Sequence, residues 1–241
     1  MGEQTKAIKY QSEWSSFYQG IKDCIPTLIG YISIGVAAGV VGSASGLSVL
    51  EVGLLSVLVY AGAAQFIFCA LIASGSPYSA IVITVFIVNF RHFLLSMALA
   101  PQFTAYSLWK NIGIGSLLTD ESFGVAITKV VKKESIDAKW MYGLNITAYA
   151  SWILSCTAGA LFGKWISDPA VFGLDFALTA MFVALLVLQL TNTVRGKLKL
   201  YLSLIMYVAI SMTVFCMFMP SHIAIILSTV IVAAIGVVMD R

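Results

Sequence analysis

Charge is what this chain has least of. Asp, Glu, Lys and Arg together make up 10% of its residues and hydrophobic residues 60%, where soluble domains carry about 25% charge. That balance excludes a soluble fold with a polar shell, and the apolar residues gather into runs able to cross a hydrocarbon core of about 30 Å. Strand-length segments of alternating polarity, the mark of an outer-membrane barrel, are missing. The sequence therefore reads as an all-α, polytopic bundle of membrane helices. Cys24, Cys69, Cys156 and Cys216 lie in or beside apolar runs with no CxxC spacing, which argues against a disulfide framework and structural zinc. Gly-x-x-x-x-Gly-Lys-Ser/Thr is absent and the loops are too short for an ATPase domain, so neither a primary pump nor a nucleotide cofactor is expected. Gly42-Ser-Ala-Ser-Gly46 has alanine where a Gly-x-Ser-x-Gly elbow needs serine, and neither His92 nor His222 has an identifiable nucleophile partner; both points argue against an intramembrane hydrolase. The formal charge of +3 comes mainly from Lys and Arg near helix ends, where it orients a membrane protein rather than binding nucleic acid.

What is present is a series of apolar runs. Spans are expected near 25–42, 49–73, 78–101, 112–131, 142–165, 173–194, 198–218 and 222–239. That makes about eight, or seven if the polar residues Thr119, Asp120, Glu121 and Ser122 break the fourth or make it re-entrant. Residues 1–23 lack a signal-peptide core; Tyr10, Trp14, Phe17, Tyr18 and Ile21, with Lys6, Lys9 and Lys22 nearby, instead suit a cytoplasmic amphipathic helix at the headgroups. Residues 24–241 then form one transmembrane domain. With eight spans, Lys110 and Lys164 fall outside, Arg91 lies within the membrane, and every other Lys and Arg falls inside, so both termini are expected in the cytoplasm of a bacterial inner or plasma membrane. The segment beginning Gly46-Leu-Ser faintly echoes the one beginning Gly173-Leu-Asp, and each follows a glycine pair at four-residue spacing, Gly35 with Gly39 and Gly159 with Gly163. Repeat halves of 24–131 and 142–241 would fit a transporter whose site lies at the repeat interface.

Three groups of residues stand out as candidates for chemistry. Ala61-Gly62-Ala63-Ala64-Gln65 sets small residues and an amide inside a span, suited either to close helix packing or to an unwound turn. Gln65 needs a buried partner in both cases. Asn89, Arg91 and His92 sit in the middle of an apolar run; a cation there costs at least about 2.5–3.5 kcal/mol and persists only against an internal acid or an anionic substrate. Arg91 could take a carboxylate bidentately or pair with Asp120, Glu121 or Asp175. His92 could relay protons or serve as a hydrogen-bonded structural ring. Asp120 and Glu121 form the third group: adjacent acids in a low dielectric could hold a coupling proton or an ammonium, or simply cap a helix start with Thr119.

Taken in order, Gly30-Tyr31 with Gly35, Gly46-Leu-Ser with Glu51, Tyr60-Ala-Gly-Ala-Ala-Gln-Phe66, Asn89-Phe-Arg-His92 with Ala98-Leu-Ala-Pro101, Leu118-Thr-Asp-Glu-Ser-Phe123 and the Gly173–Phe182 run resemble the azaleucine-resistance (AzlC-type) family of branched-chain amino acid exporters. The resemblance covers most of the chain. It implies a secondary exporter of valine, leucine, isoleucine and related neutral amino acids, working with a small membrane subunit of the AzlD type. Gly62, Gln65, Asn89 and Arg91 would then contact substrate, with Arg91 on the carboxylate, and Asp120, Glu121 and His92 would serve the amine or the coupling ion. A channel is the alternative within the same broad class.

Overall fold

The computed structural model describes residues 2–163, 165, 183, 186, 187, 190, 197–219 and 221–239, with side chains from Ser15 onward except in part of the last helix. Every regular element among them is helical: α1 (Gly2–Ala44), α2 (Val49–Leu58), α3 (Gly62–Ala73), α4 (Tyr78–Leu99), α5 (Leu108–Ser116), α6 (Asp120–Val131), α7 (Ala138–Gly163), α8 (Leu198–Cys216) and α9 (Ser221–Met239), with a single 3₁₀ turn at Ala100–Phe103 after α4. Four helical stretches are long and apolar enough to cross a membrane: Ser15–Ala44, Tyr78–Phe103, Ala138–Gly163 and Leu198–Cys216. The chain is thus a polytopic helical membrane protein. The amphipathic N-terminal segment and the first span form one continuous helix, α1, with Pro26 inside it. The expected 173–194 span and the second copy of the echo lie almost wholly outside the described residues.

The chain divides into two compact units, Met1–Leu178 and Thr179–Arg241. Within the second, α8 and α9 pack together, with Gly236 against Leu204. The first is built around α1 and α7, which run parallel along a seam of small residues. Ser16 donates to Asp137 Oδ1 at 2.7 Å at one end. Gly20 lies against the Trp140 carbonyl, Gly39 against the Cys156 carbonyl, Gly159 against the Val36 carbonyl and Gly163 against Val40 and Ser43. The register is constant along the seam, so the two glycine pairs that echo each other in the sequence face each other here.

Local signals set the helix ends. Gly46, at φ 88°, closes α1 with bonds from its own N–H to Ser43 O and from Leu47 N–H to Gly42 O, both at 3.1 Å, the left-handed cap that glycine permits without strain. Ser48 and Glu51 form a capping box that opens α2. Gly75, at φ 68°, ends α3 in the same way as Gly46 ends α1, and Pro77 then leads into α4.

Two of the expected spans do not cross. α2 starts with Val52 against Gly42 and ends where Val57 O accepts from Tyr149 Oη at 2.9 Å. α3 then turns back, bringing Gln65 beside Cys156 and Cys69 beside Gly42. The 49–73 run is therefore a re-entrant hairpin with its tip at Tyr60. The 112–131 run mirrors it from the opposite face. α5 starts where Lys110 O accepts from Tyr142 Oη at 2.9 Å and rises past Asn145, which donates to Ile114 O at 3.0 Å. The chain breaks at Leu117–Thr119 beside Tyr31, and α6 returns to place Lys129 Nζ 3.0 Å from Asp23. Helices of 10 and 12 residues are about 15 and 18 Å long, half the hydrocarbon thickness each. Hydropathy cannot separate such a hairpin from a crossing helix of the same total length.

Lys110 consequently shares a membrane face with Asp23 and Lys129, rather than lying opposite them as an eight-span order requires. Cysteines introduced at Lys110 and Lys133 should be labelled by an impermeant maleimide from one side, and cysteines at Ser45 and Ser76 from the other. Labelling of the Lys110 and Lys133 positions from opposite sides would restore the crossing at 112–131.

Candidate functional site

The two hairpin tips meet at Tyr31, midway along the membrane-spanning part of α1, Ser15–Ala44. Its hydroxyl bonds the Thr119 hydroxyl and donates to Glu121 Oε2 at 3.2 Å, while its ring packs edge-on against Trp152 of α7 at 6.2 Å. Tyr60, at the tip of the other hairpin, stacks edge-on against Tyr149 at 4.8 Å, with its hydroxyl beside that of Tyr31. Tyr60 holds φ 29°, a left-handed conformation that costs a bulky residue of order 1–3 kcal/mol and that clusters at functional sites. This strain is what allows α2 to stop and α3 to leave in the opposite direction.

The hairpin tips differ in how they close their helix starts. At α6, Thr119 accepts from Ser122 N–H at 3.3 Å and Ser122 Oγ accepts from Thr119 N–H at 2.9 Å, so this N-terminus caps itself. Asp120 and Glu121 add negative charge to the same first turn, where the helix dipole favours it. At α3 the N-cap is Ala61, which has no side chain to offer, and no side-chain cap is made.

Arg91 and His92 of α4 both converge on Asp120. Arg91 Nη2 stands 2.8 Å from Asp120 Oδ2, and His92 Nε2 3.7 Å from the same oxygen. Side-chain exposure is 30% for Arg91, 16% for His92 and 19% for Asp120, so the acid is enclosed between two donors. α4 stays regular through this stretch; adjacent residues about 100° apart on a helix straddle a single acceptor placed between them. Of the partners open to Arg91 in the sequence, Asp120 is the one it meets, and Asp175 lies outside the described residues. A cavity of about 50 Å³ lies nearby, lined by Ser96, Asn111, Gly115 and Leu118 among others, with room for a few waters rather than an amino acid.

The sequence-derived residues thus fall into two groups of contacts. Arg91, His92 and Asp120 form one ionic triad. Glu121 belongs instead to the tyrosine cluster, because successive helical positions diverge by about 100°. Gly62 opens α3 and Gln65 lies on its first turn, where Gln65 Oε1 receives the Cys156 thiol at 3.7 Å while Nε2 has no partner. Asn89 is not among the contacts of Asp120; its Oδ1 is buried without a partner, as is Arg91 Nε. Tyr31, Tyr60 and Trp152 were not singled out as site residues from sequence. Tyr31 and Tyr60 enter the sequence reading only within family motifs and without a site role, and Trp152 not at all; aromatic residues deep in apolar runs are also what ordinary packing produces.

Known proteins resemble this chain over most of its length. The AzlC protein family matches residues 26–166, a stretch that takes in both hairpins and the ionic triad. An Escherichia coli protein described as inner membrane protein YgaZ is 33% identical over 177 residues, covering 71% of this chain and 72% of its own length. The Bacillus subtilis protein described as branched-chain amino acid transport protein AzlC is 25% identical over 187 residues, or 77% of this chain and 72% of its own. An uncharacterized membrane protein of Archaeoglobus fulgidus is 30% identical over 184 residues, 73% of this chain and 76% of its own. No solved structure matches significantly. With a family model matching residues 26–166 and a relative 33% identical over 71% of its length, the chain belongs to the AzlC family of membrane proteins.

Proposed function

We propose that this protein is a secondary transporter that exports branched-chain or similar neutral amino acids, valine, leucine and isoleucine among them, using an ion gradient. The observation that carries the proposal is the pair of opposed re-entrant hairpins whose tips enclose polar and ionic residues at mid-membrane depth. Backbone broken inside the membrane is tolerated only where protein or a water-filled cavity surrounds it, and transporters place substrate and coupling-ion sites at such breaks. The description of the Bacillus subtilis relative as a branched-chain amino acid transport protein supports an amino acid substrate. A small membrane subunit of the AzlD type is proposed as partner, in keeping with the family resemblance.

Within this scheme the hairpin tips hold the substrate. Gly62 and Gln65 lie on one side and Glu121, held by Tyr31, faces the ammonium from the other. The Arg91–His92–Asp120 triad couples transport to the ion gradient: a proton delivered to Asp120 frees Arg91, and its release restores the pair. Asn89 is a polar contact on the α4 side. The N-terminus is assigned to the cytoplasm, since the hairpin topology adds Lys110 to the face already rich in Lys and Arg, and the C-terminus to the same side on the Lys and Arg count of the sequence.

Efflux of labelled valine, leucine and methionine from cells expressing the chain, with and without its partner subunit, tests the proposal. Export should exceed that of cells lacking the chain, and preloaded vesicles should show counterflow, in which unlabelled substrate on one side drives labelled substrate from the other. Electrical conductance without counterflow would make the protein a channel.

A further inference from the structure

A buried helix start with no cap is costly, because its first N–H groups lose water and gain nothing. α3 has such a start. Ala61 makes no cap, and among the described residues no acceptor is found for the N–H groups of Gly62, Ala63 and Ala64, although Ala63 and Ala64 are 0% exposed. Two more donors lie beside this turn. Tyr60, 7% exposed, immediately precedes the N-cap, and its hydroxyl, beside those of Tyr31 and Thr119, meets no acceptor at full hydrogen-bonding geometry; Gln65, 3% exposed, has a free Nε2. Long side chains on a helix lean back toward its N-terminus, so the Gln65 amide leans toward the uncapped turn. Unanswered buried donors therefore concentrate at the positive end of a helix dipole, and a single anion would satisfy them together.

We infer that the first turn of α3 is the seat of the substrate carboxylate, with the Tyr60 hydroxyl and the Gln65 amide as side-chain donors. The identity of the ligand rests on the transport proposal; the anion chemistry of the seat does not. Arg91 is left out of this role because its guanidinium is already engaged by Asp120 at 2.8 Å. The neighbouring charge selects the anion: Glu121 is held by Tyr31 where the two hairpin tips meet, which disfavours a dianion such as phosphate and suits a zwitterion whose ammonium faces the acid. A neutral amino acid then bridges the tips, with its carboxylate on the self-uncapped helix and its amine toward the self-capped one.

The test uses the purified full chain in lipid nanodiscs, with thermal shift and equilibrium binding as readouts. The probes are leucine, leucinamide, 4-methylpentanoate and 3-methylbutylamine. Leucine and 4-methylpentanoate should bind and stabilise the protein, whereas leucinamide and the amine should not. Tyr60→Phe, which keeps the ring on Tyr149 and loses the hydroxyl, should weaken leucine binding about tenfold, the worth of one hydrogen bond to a charged group. Ala61→Ser supplies the missing cap from within. It should raise the unliganded melting temperature by about 2–4 °C and weaken leucine binding about tenfold by competing for the same amides. Equal binding of leucine and leucinamide, or wild-type leucine affinity in Ala61→Ser, would overturn the seat while leaving amino acid transport intact. Binding of 4-methylpentanoate without leucine would uphold the seat and overturn the proposed substrate. Failure of all carboxylates to bind would overturn the seat.

Discussion

Gly39→Leu should yield essentially no folded protein. A Cβ on Gly39 would run into the Cys156 carbonyl and lie 2.6 Å from the Ala160 nitrogen. Both are backbone atoms of a continuous helix, so no rotamer change relieves the clash. The remaining route is to part α1 from α7, which would disrupt the Ser16–Asp137 bond, the Tyr31–Trp152 contact and the register that brings Tyr31 to both hairpin tips. Overpacking a well-packed contact costs about 1–3 kcal/mol when neighbours can yield, and here the neighbours are helix backbone. Small residues at such a seam are the usual means of close approach between membrane helices, since lipid provides no hydrophobic drive for their association. Gly30→Ala is the matched control: it lies on the same helix, nothing stands within 4 Å of its added Cβ, and it should behave as wild type. Size-exclusion profiles of solubilised protein and melting temperatures compare the two. A monodisperse Gly39→Leu protein with unaltered melting temperature would mean that the α1–α7 seam is not the foundation of this unit.

Much of that seam could be seen in the sequence but not understood there. Gly35, Gly39, Gly159 and Gly163 stood out as a repeated pattern, yet equal spacing on two helices suits both an internal repeat and a contact between them. The long runs at 25–42, 78–101, 142–165 and 198–218 appear as α1, α4, α7 and α8 because sustained hydropathy over a membrane's thickness has few alternatives. The hairpins were harder. Two half-length helices and one full-length helix have the same hydropathy, and the residue that reverses the first of them, Tyr60, carries no glycine-like signature despite its positive φ. The polar Leu118–Ser122 stretch did announce a break, since two adjacent acids interrupt an apolar run, but the choice between a broken crossing and a re-entrant loop depends on contacts to α1 and α7 far away in sequence. The candidate site was legible as a set of residue types and not as a grouping. Arg91 with Asp120 is one of the ion pairs the sequence allows, whereas Tyr31 carries no site role there beyond its place in a family motif, since a tyrosine in an apolar helix also serves ordinary packing.

That grouping gives the two adjacent acids separate tasks, and their amide variants should fail in different ways. Asp120 faces Arg91 and His92, while Glu121 faces Tyr31. In proteoliposomes, Asp120→Asn should abolish accumulation against a gradient and flatten the pH dependence of transport, because an amide cannot carry the proton that breaks and remakes the pair with Arg91. Counterflow should persist, since substrate exchange needs the binding site and the conformational switch but no net proton movement. The variant should also be less stable: removing one partner of a fully buried ion pair costs about 3–5 kcal/mol, and the 30% exposure of Arg91 reduces that here. Pairing Asp120→Asn with Arg91→Met removes the orphaned cation and should recover most of the lost melting temperature without recovering coupling, which separates the structural effect from the energetic one. Glu121→Gln should leave the ionic triad and its pH dependence in place and instead weaken substrate affinity by about tenfold or more, as expected for loss of the charge opposite an ammonium. Identical behaviour of the two single variants, or gradient-driven accumulation by Asp120→Asn with wild-type pH dependence, would assign coupling to a group outside the Arg91–Asp120 pair.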